Sequence, residues 1–172
     1  LNSPFLDMNM SWFMEEVVIP VISFIGNYFP NLEVEGKGIS QYAHSLLKRF
    51  HGEWEYNENW KKTTGHPKKA GWIHAIHKGH KTIQKGLNLT CPILVMSSDK
   101  SIPETKIWNE LYHTSDIVLD VKDIQKYGKM LGSRVTCKQI HNGKHDLILS
   151  NEPARKETYQ VIFSWLKQQS GK

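Results

Sequence analysis

The chain has 172 residues, of which 39% are hydrophobic and 23% are charged. This composition is that of a globular domain with one hydrophobic core, and it excludes a disordered or fibrous chain. The net charge of +5 is uneven, because residues 46–90 hold nine Lys or Arg and three Glu, whereas residues 1–45 hold one Lys and five acids. The two cysteines, Cys91 and Cys137, are too few for a disulfide scaffold and predict a reducing, cytoplasmic location.

The first element in chain order is a dense apolar helix with Ser11 as its N-cap. Apolar residues recur so closely over residues 12–28 that we expect the helix to be largely covered, with a kink or break around Pro20. The longest apolar run, residues 17–25, has about half the length that a bilayer crossing needs, so no stable membrane insertion is predicted.

A loop and two further helices follow before residue 90. Pro30 and the pair Gly36–Gly38 predict the loop, and helical spacing returns over residues 39–50 and again over about 69–85. The last helix carries three histidines at intervals of three residues, which are His74, His77 and His80. The outer two lie about 240° apart around the helix, so they are poorly placed for one metal ion, and we predict neither a metal nor a cofactor.

After residue 90 the pattern changes to that of an α/β protein. A short apolar run at 93–96 and an alternating run at 135–140 predict strands, and a helix over 120–131, closed by Gly132, lies between them. A terminal helix over 153–167 completes the order strand, helix, strand, helix, which predicts parallel strands joined by a crossover. Two strands are too few for a sheet covered on both faces, so we expect further strands to belong to the fold.

The loop after the second strand carries the strongest candidate for chemistry. Gly143 lies two residues before His145, and a histidine beyond the end of a parallel strand lies where α/β sheets place their ligands. Such a histidine can act as a general base near neutral pH. Its partner carboxylate is either Asp99, three residues beyond the preceding strand, or Asp116, which follows an insertion; Asp120 is expected to be the N-cap of the next helix.

The order strand, Asp loop, helix, strand, His loop, helix resembles the C-terminal end of the α/β-hydrolase fold. More narrowly, CPILVMSSDKS at 91–101, DIVLDV at 116–121 and HDLILS at 145–150 resemble bacterial monoacylglycerol-lipase-like hydrolases, often described as serine aminopeptidase-like. The resemblance implies three parts, which are the exit of a core strand at 1–10, a helical cap or lid at 11–88, and a C-terminal α/β portion at 89–172 with the acid and base loops. It implies His145 as the base and favours Asp116 over Asp99 as the acid.

This sequence has no counterpart of the nucleophile serine of that family, because no Gly-x-Ser-x-Gly occurs in these residues. The chain therefore resembles the C-terminal half of a hydrolase, with the nucleophile serine in a missing N-terminal half, and we expect it to be inactive alone. The implied reaction is cleavage of a carboxylic ester, of the acyl-lipid or lysophospholipid type, through an acyl-enzyme. A serine peptidase and a non-catalytic fragment that acts as a binding module are the alternatives.

Two surfaces of the predicted cap have competing interpretations. The basic middle segment contains Trp54, Tyr56, Trp60 and Trp72, a pattern that could suit nucleic acid, but no recognised binding motif accompanies it, so a solvated cap surface is predicted. The helix over residues 12–29 is either a lipid-facing lid or a helix buried against the missing part of the sheet.

Overall fold

The computed structural model describes residues 1–35, 38 and 40–171, so Gly36 in the predicted loop and Ile39 at the start of a predicted helix lie outside the described residues. Five α-helices and four strands occur in the described part of the chain. In chain order they are α1 (Ile19–Tyr28), β1 (Glu33–Glu35), α2 (Gln41–Leu46), β2 (Lys68–Lys69), α3 (Ala70–Ile83), β3 (Ile93–Ser98), α4 (Val121–Gly128), β4 (Val135–Ile140) and α5 (Glu152–Ser170). A π-helical segment, Met14–Val18, precedes α1 directly, and short 3₁₀ turns lie at Glu110–His113, Lys129–Leu131 and Leu147–Leu149.

The central sheet is parallel. Strands β3 and β4 pair in register from Ile93 with Val135 to Ser98 with Ile140. On the other side of β3, Asn2 forms a parallel bridge with Met96, so the first residues of the chain extend the sheet by a third, short segment. The carboxyl ends of β3 and β4 therefore lie side by side at one edge of the sheet, where their loops can meet.

Helices cover the two faces of this sheet. Because side chains alternate along a strand, Val95 points to one face while Leu94 and Met96 point to the other. The Val95 face packs with Leu6 of the segment that leaves the sheet and with buried residues of α4 and its flanks, which are Leu119, Ile124 and Leu131. The opposite face packs with residues of β4, the loop after it and α5, which are Ile140, Leu147 and Ala154. This arrangement follows from the apolar run of β3, which has no polar face.

The first part of the chain is built on α1 and α3, which pack against each other. Their contact is close at Gly26, where a Cβ would lie 2.1 Å from the carbonyl oxygen of Ala70. A small core of Met8, Ile19 and Ile73 joins this helix pair to the segment that leaves the sheet. Strands β1 and β2 form a short antiparallel pair that the sequence pattern did not predict, since two or three residues are too few for a periodic signal.

The expectation that the first helix is largely covered is wrong. Trp12, Phe13, Val17, Val21 and Phe24 are all exposed, with Trp12 at 73% and Phe24 at 68%. The reason is that α3 packs on one side of the helix and leaves the other side open. None of the helices in the described ranges is long and apolar enough to cross a membrane.

Pro20 does not break the helix, but a π-helical segment lies before it. The helix continues through it, and the π-helical turns Met14–Val18 lie immediately before it. Proline has no N–H to donate and its ring crowds the carbonyl four residues earlier, and a wider π turn at that place relieves both problems.

Other helix ends differ from the pattern by a few residues. Helix α2 is shorter than the predicted 39–50, because Leu47 leaves the helix and forms a bridge with Trp54. Asp120 caps α4 as expected, with its carboxylate accepting the N–H of Lys122 at 2.9 Å. Gly132 is extended rather than left-handed, and it is required for space, because a Cβ there would lie 2.1 Å from the carbonyl oxygen of Leu89.

Candidate active site

The loop that follows β4 turns sharply and presents His145 beyond the sheet edge. The left-handed residue in this turn is Asn142, with a φ of 55°, and not Gly143. Gly143 is required because a Cβ there would lie 2.6 Å from the side chain of the buried Leu147. The turn thus depends on two neighbouring residues, one for its backbone conformation and one for its small size.

Asp116 lies at the base of the insertion that follows β3. Its backbone forms a parallel bridge with Ser101, which closes residues 102–115 into a loop with both ends held together. The side chain is fully buried, and one carboxylate oxygen accepts the backbone N–H groups of Val118 at 2.8 Å and Leu119 at 2.9 Å. These two donors satisfy the buried charge and fix the direction of the carboxyl group.

The second carboxylate oxygen of Asp116 lies 3.0 Å from Nδ1 of His145. A carboxylate only accepts hydrogen bonds, so Nδ1 carries the proton and the lone pair of the neutral ring is on Nε2. In the described part of the chain this is the one hydrogen bond of the imidazole, and the ring remains 24% exposed. The pair therefore has the arrangement of an oriented general base, with Nε2 available to accept a proton.

An apolar cavity of about 380 Å³ has His145 in its wall. Its other lining residues come from the segment that leaves the sheet, from α3 and from the loop after Asp116; they include Phe5, Met8, Met10, Trp72, Ile73 and Val118. Three separate elements thus bring apolar side chains to a candidate base. Asn9 and Lys68 are polar residues that also line the cavity. A cavity with mostly apolar walls and a few polar groups is typical of a site for a hydrophobic small molecule.

The predicted cap, residues 11–88, contacts the histidine through α2. The ring of Tyr42 lies edge-on to the imidazole of His145, with 5.5 Å between the ring centroids. Burial raises the pKa of the Tyr42 hydroxyl, and the negative charge of Asp146 adds to the effect, so the phenol is neutral near pH 7. The sequence pattern did not single out Tyr42, because nothing in the helical spacing of α2 says which residues face the loop after β4.

Asp99, the alternative acid, lies against a different histidine. Its carboxylate oxygens bind Nδ1 of His141 at 2.9 Å and the backbone N–H of Asn142 at 2.9 Å. His141 is exposed, and Asp99 holds the start of the turn rather than the ring of His145. The structure thus brings together Asp116 and His145 among the three predicted site residues, and separates Asp99 from them.

Two of the three histidines of α3 bind backbone carbonyl groups. Nδ1 of His74 lies 2.8 Å from the carbonyl oxygen of Ser23, and Nε2 of His80 lies 3.1 Å from that of Phe5. No group of three or more metal-binding side chains occurs among residues 1–35, 38 and 40–171. Cys91 and Cys137 are both free thiols. His74 and His80 thus join α3 to α1 and to the first residues of the chain.

A soluble variant of monoglyceride lipase from Saccharomyces cerevisiae, solved in complex with a substrate analogue, has a similar structure, with a TM-score of 0.57 and 11% sequence identity. The similarity covers 97% of this chain and 54% of the lipase chain, so this chain spans about half the length of that protein. No protein-family model and no curated protein matches the sequence. At this identity the similarity shows the fold alone, and the helices and small parallel sheet of this chain form a partial α/β fold similar to that of the lipase.

Proposed function

We propose that this chain supplies the acid and the base of a serine hydrolase that cleaves carboxylic esters of the acyl-lipid or lysophospholipid type. His145 is the general base and Asp116 is the acid that orients it. The nucleophile serine and the oxyanion hole come from an N-terminal half upstream of Leu1, so the chain alone is inactive. The observation that carries the proposal is the buried Asp116 bonded to Nδ1 of a histidine that lines an apolar cavity.

The chemistry follows from the orientation of the ring. Nε2 of His145 accepts the proton of the serine hydroxyl as its oxygen attacks the ester carbonyl, and the buried carboxylate of Asp116 stabilises the imidazolium that forms. The same Nε2–H then protonates the alcohol that leaves, which gives an acyl-enzyme. In the second half of the reaction Nε2 of His145 takes a proton from water as the water oxygen attacks the acyl carbonyl, and it then gives that proton to the serine oxygen as the bond between serine and acyl group breaks, which releases the carboxylic acid and restores the serine.

The character of the cavity and the cap supports an acyl group in the substrate. The walls beside His145 are mainly aromatic and aliphatic, and they offer hydrocarbon contacts with few polar groups. The exposed apolar side of the helix over residues 12–28 fits both a lipid-facing lid and a surface that the proposed N-terminal half covers. No metal or cofactor takes part in the proposed reaction, and a cytoplasmic location is the accompanying prediction.

The first test is the reading frame upstream of Leu1. A strand followed by Gly-x-Ser-x-Gly is expected there, and a frame without it overturns the assignment as a hydrolase. In the full-length protein, a fluorophosphonate probe should label one serine, and p-nitrophenyl esters of medium and long acyl chains should be cleaved. Parallel measurements with amino-acid p-nitroanilides decide between the ester hydrolase and the peptidase, since faster cleavage of the anilides would favour the peptidase.

A further inference from the structure

Lys144, the residue directly before the candidate base, has an unusual position for a lysine. Its side chain is only 1% exposed. The ammonium nitrogen donates to the backbone carbonyl of Ser45, 2.6 Å away, and Ser45 is itself fully buried in α2. The neighbouring backbone is held as well, because the N–H of Lys144 donates to the hydroxyl of Ser150 at 2.8 Å. The lysine therefore joins the loop that follows β4 to the cap.

The carbonyl that Lys144 binds belongs to the end of a helix. The last carbonyls of a helix have no partner within it and carry partial negative charge, so a cation is favourable there. The carbonyls on either side of Ser45 have backbone partners, with His44 accepting from His51 at 3.2 Å and Leu46 accepting from Trp54 at 2.8 Å. Lys144 thus supplies the donor that completes this end of α2.

Burial of this charge is costly and is not balanced by a carboxylate. None of the described acidic side chains lies within ion-pair distance of Lys144. The carboxylate that acts on its charge from farther away is that of Glu53. Burial lowers the pKa of the ammonium group to about 8, against an ordinary value of 10.5. The positive charge in turn lowers the pKa of His113, after the larger effect of that ring's own burial. A side chain of similar volume without charge would fill the same space at less cost, so the charge and its donors need a reason beyond packing.

Two further contacts join α2 and the chain after it to the same loop. The ring of Tyr42 packs edge-on against His145, and the indole N–H of Trp54 donates to the carbonyl of Leu149 at 2.9 Å. Ser45, which accepts the hydrogen bond of Lys144, lies between Tyr42 and Trp54 along the chain. The loop that carries His145 is therefore held on one side by Asp116 and on the other side by the cap.

We propose that Lys144 is a positioning residue, whose buried ammonium group completes the C-terminal end of α2 and thereby holds the loop of His145 against the cap. The proposal rests on the proposed role of His145 as the general base. Its consequence is that this hydrogen bond, together with the contacts of Tyr42 and Trp54, couples the position of the cap to the position of the base, so a cap that moves away releases the base.

The test replaces Lys144 with methionine in the full-length chain, with the exposed Lys138→Met on β4 as the matched control. Methionine fills a similar volume and removes the charge and the donors. We expect kcat for ester cleavage to fall about 10- to 100-fold while KM changes less than about threefold, because a small displacement of a catalytic group acts on the chemical step. The control should retain wild-type kinetics, and Lys144→Arg, which keeps a cationic donor, should recover most of kcat.

An NMR titration of the His145 ring gives a second measurement that does not depend on catalysis. We expect Lys144→Met to shift the ring signals and the pKa of His145, while the folded fraction at the assay temperature stays unchanged. Unchanged ring signals, or a loss of kcat that only follows the unfolded fraction, would overturn the proposal. If Lys144→Met does not fold, Lys144→Gln, which keeps a neutral donor, is measured with the same two outcomes.

The two proposals fail in different ways. If the wild type and His145→Ala show the same ester cleavage, or none, the hydrolase is wrong, and the ring titration alone then decides whether Lys144 positions His145. If His145→Ala abolishes cleavage but Lys144→Met leaves both kcat and the titration curve unchanged, the hydrolase stands and the role of Lys144 is wrong.

Discussion

Two Asp–His pairs lie at the same edge of the sheet, and they differ in almost every property except the distance between their atoms. Asp116 and His145 are 3.0 Å apart, and Asp99 and His141 are 2.9 Å apart. The Asp116 side chain is fully buried and its histidine lines an apolar cavity. The Asp99 side chain is 28% exposed, its histidine is 73% exposed, and Asp99 lines an open groove rich in lysine.

The difference teaches that a short contact between a carboxylate and an imidazole does not by itself indicate a catalytic site. A buried carboxylate with two backbone donors keeps its charge and direction, and the low dielectric around it strengthens its effect on the ring. An exposed pair is screened by water and salt and contributes little beyond holding a turn. Burial and the apolar cavity distinguish the two pairs, and four substitutions can test that distinction.

The largest expected effect is that of His145→Ala compared with His141→Ala. In the full-length protein, loss of His145 should lower kcat by about 10⁴-fold or more, because the serine then has no general base. Loss of His141 should leave kcat within about threefold. Steady-state cleavage of a p-nitrophenyl ester measures both, and similar losses in the two variants would remove the distinction between the pairs.

Replacement of the two carboxylates gives the next largest effect. Asp116→Asn should lower kcat about 10³- to 10⁴-fold, because an amide can favour the wrong tautomer of the ring and does not stabilise the imidazolium. Asp99→Asn should change kcat less than about tenfold, since it acts only on the turn before the base. The experiment is the pH profile of kcat for each variant. A larger loss for Asp99→Asn would make Asp99 the acid.

The turn that carries both histidines is tested by Gly143→Ala. The added Cβ would lie 2.6 Å from the side chain of Leu147, which is fully buried and has little room to move. Overpacking of this kind costs about 1–3 kcal/mol in free energy of unfolding. Chemical denaturation measures it, with Gly79→Ala in α3 as the control, because nothing lies within 4 Å of that Cβ and the helix should become slightly more stable.

The smallest expected effect is that of replacing Glu15, a carboxyl group whose neighbour is the acid Asp7. Burial and a hydrogen bond with Asp7 raise the pKa of Glu15 to about 7. The folded chain therefore holds this proton more tightly than the unfolded chain, and the resulting stability is complete below about pH 4.5 and lost as the pH rises through 7. Since Glu15 is only partly buried, we expect Glu15→Gln to raise Tm at pH 8 by about 2–4 °C, the shift for roughly 1 kcal/mol.

The Tm difference between Glu15→Gln and the wild type at pH 8 is compared with the same difference at pH 5. At pH 5 the difference should be smaller. Glu16→Gln is the matched control, because Glu16 forms an exposed ion pair with Lys81 at 3.7 Å instead of a contact with an acid. A thermal unfolding series from pH 5 to pH 8 measures all three proteins. The same Tm difference at both ends of the series would contradict the assignment of the proton to Glu15.

The α/β part of the fold was predictable from local patterns. Strands β3 and β4 and helices α4 and α5 lie where the periodicity places them, as does α3 of the predicted cap, because each is long enough to show its own repeat of buried residues. The cap was less predictable. Strands β1 and β2 are too short for a pattern, and the exposed side of the helix over residues 12–28 depends on which neighbours lie beside it.

Some features of the candidate site could likewise be predicted from the sequence, and others could not. His145 and the two candidate acids could be named from their positions after strands, because the ends of parallel strands meet at one edge. Only the family resemblance favoured Asp116 over Asp99, and the residue pattern alone left both open, since the position of the acid depends on the bridge between Ser101 and Asp116, which folds the insertion back to the strand end. The contacts of α2 with the same loop were equally hidden, because they join residues about 100 positions apart.

By itself the sequence determined the class of fold, the two α/β strands and the residue types for a base and an acid, since these depend on neighbouring residues and on period. Only the tertiary structure decided which acid faces the base, that the apolar helix is exposed, and that Lys144 is buried beneath α2. The physical reason is that burial and electrostatic environment are properties of the packed chain. The ionisation of a carboxylate, a histidine or a lysine depends on its solvent exposure and on its hydrogen-bond and charge partners, and only the folded neighbours determine these.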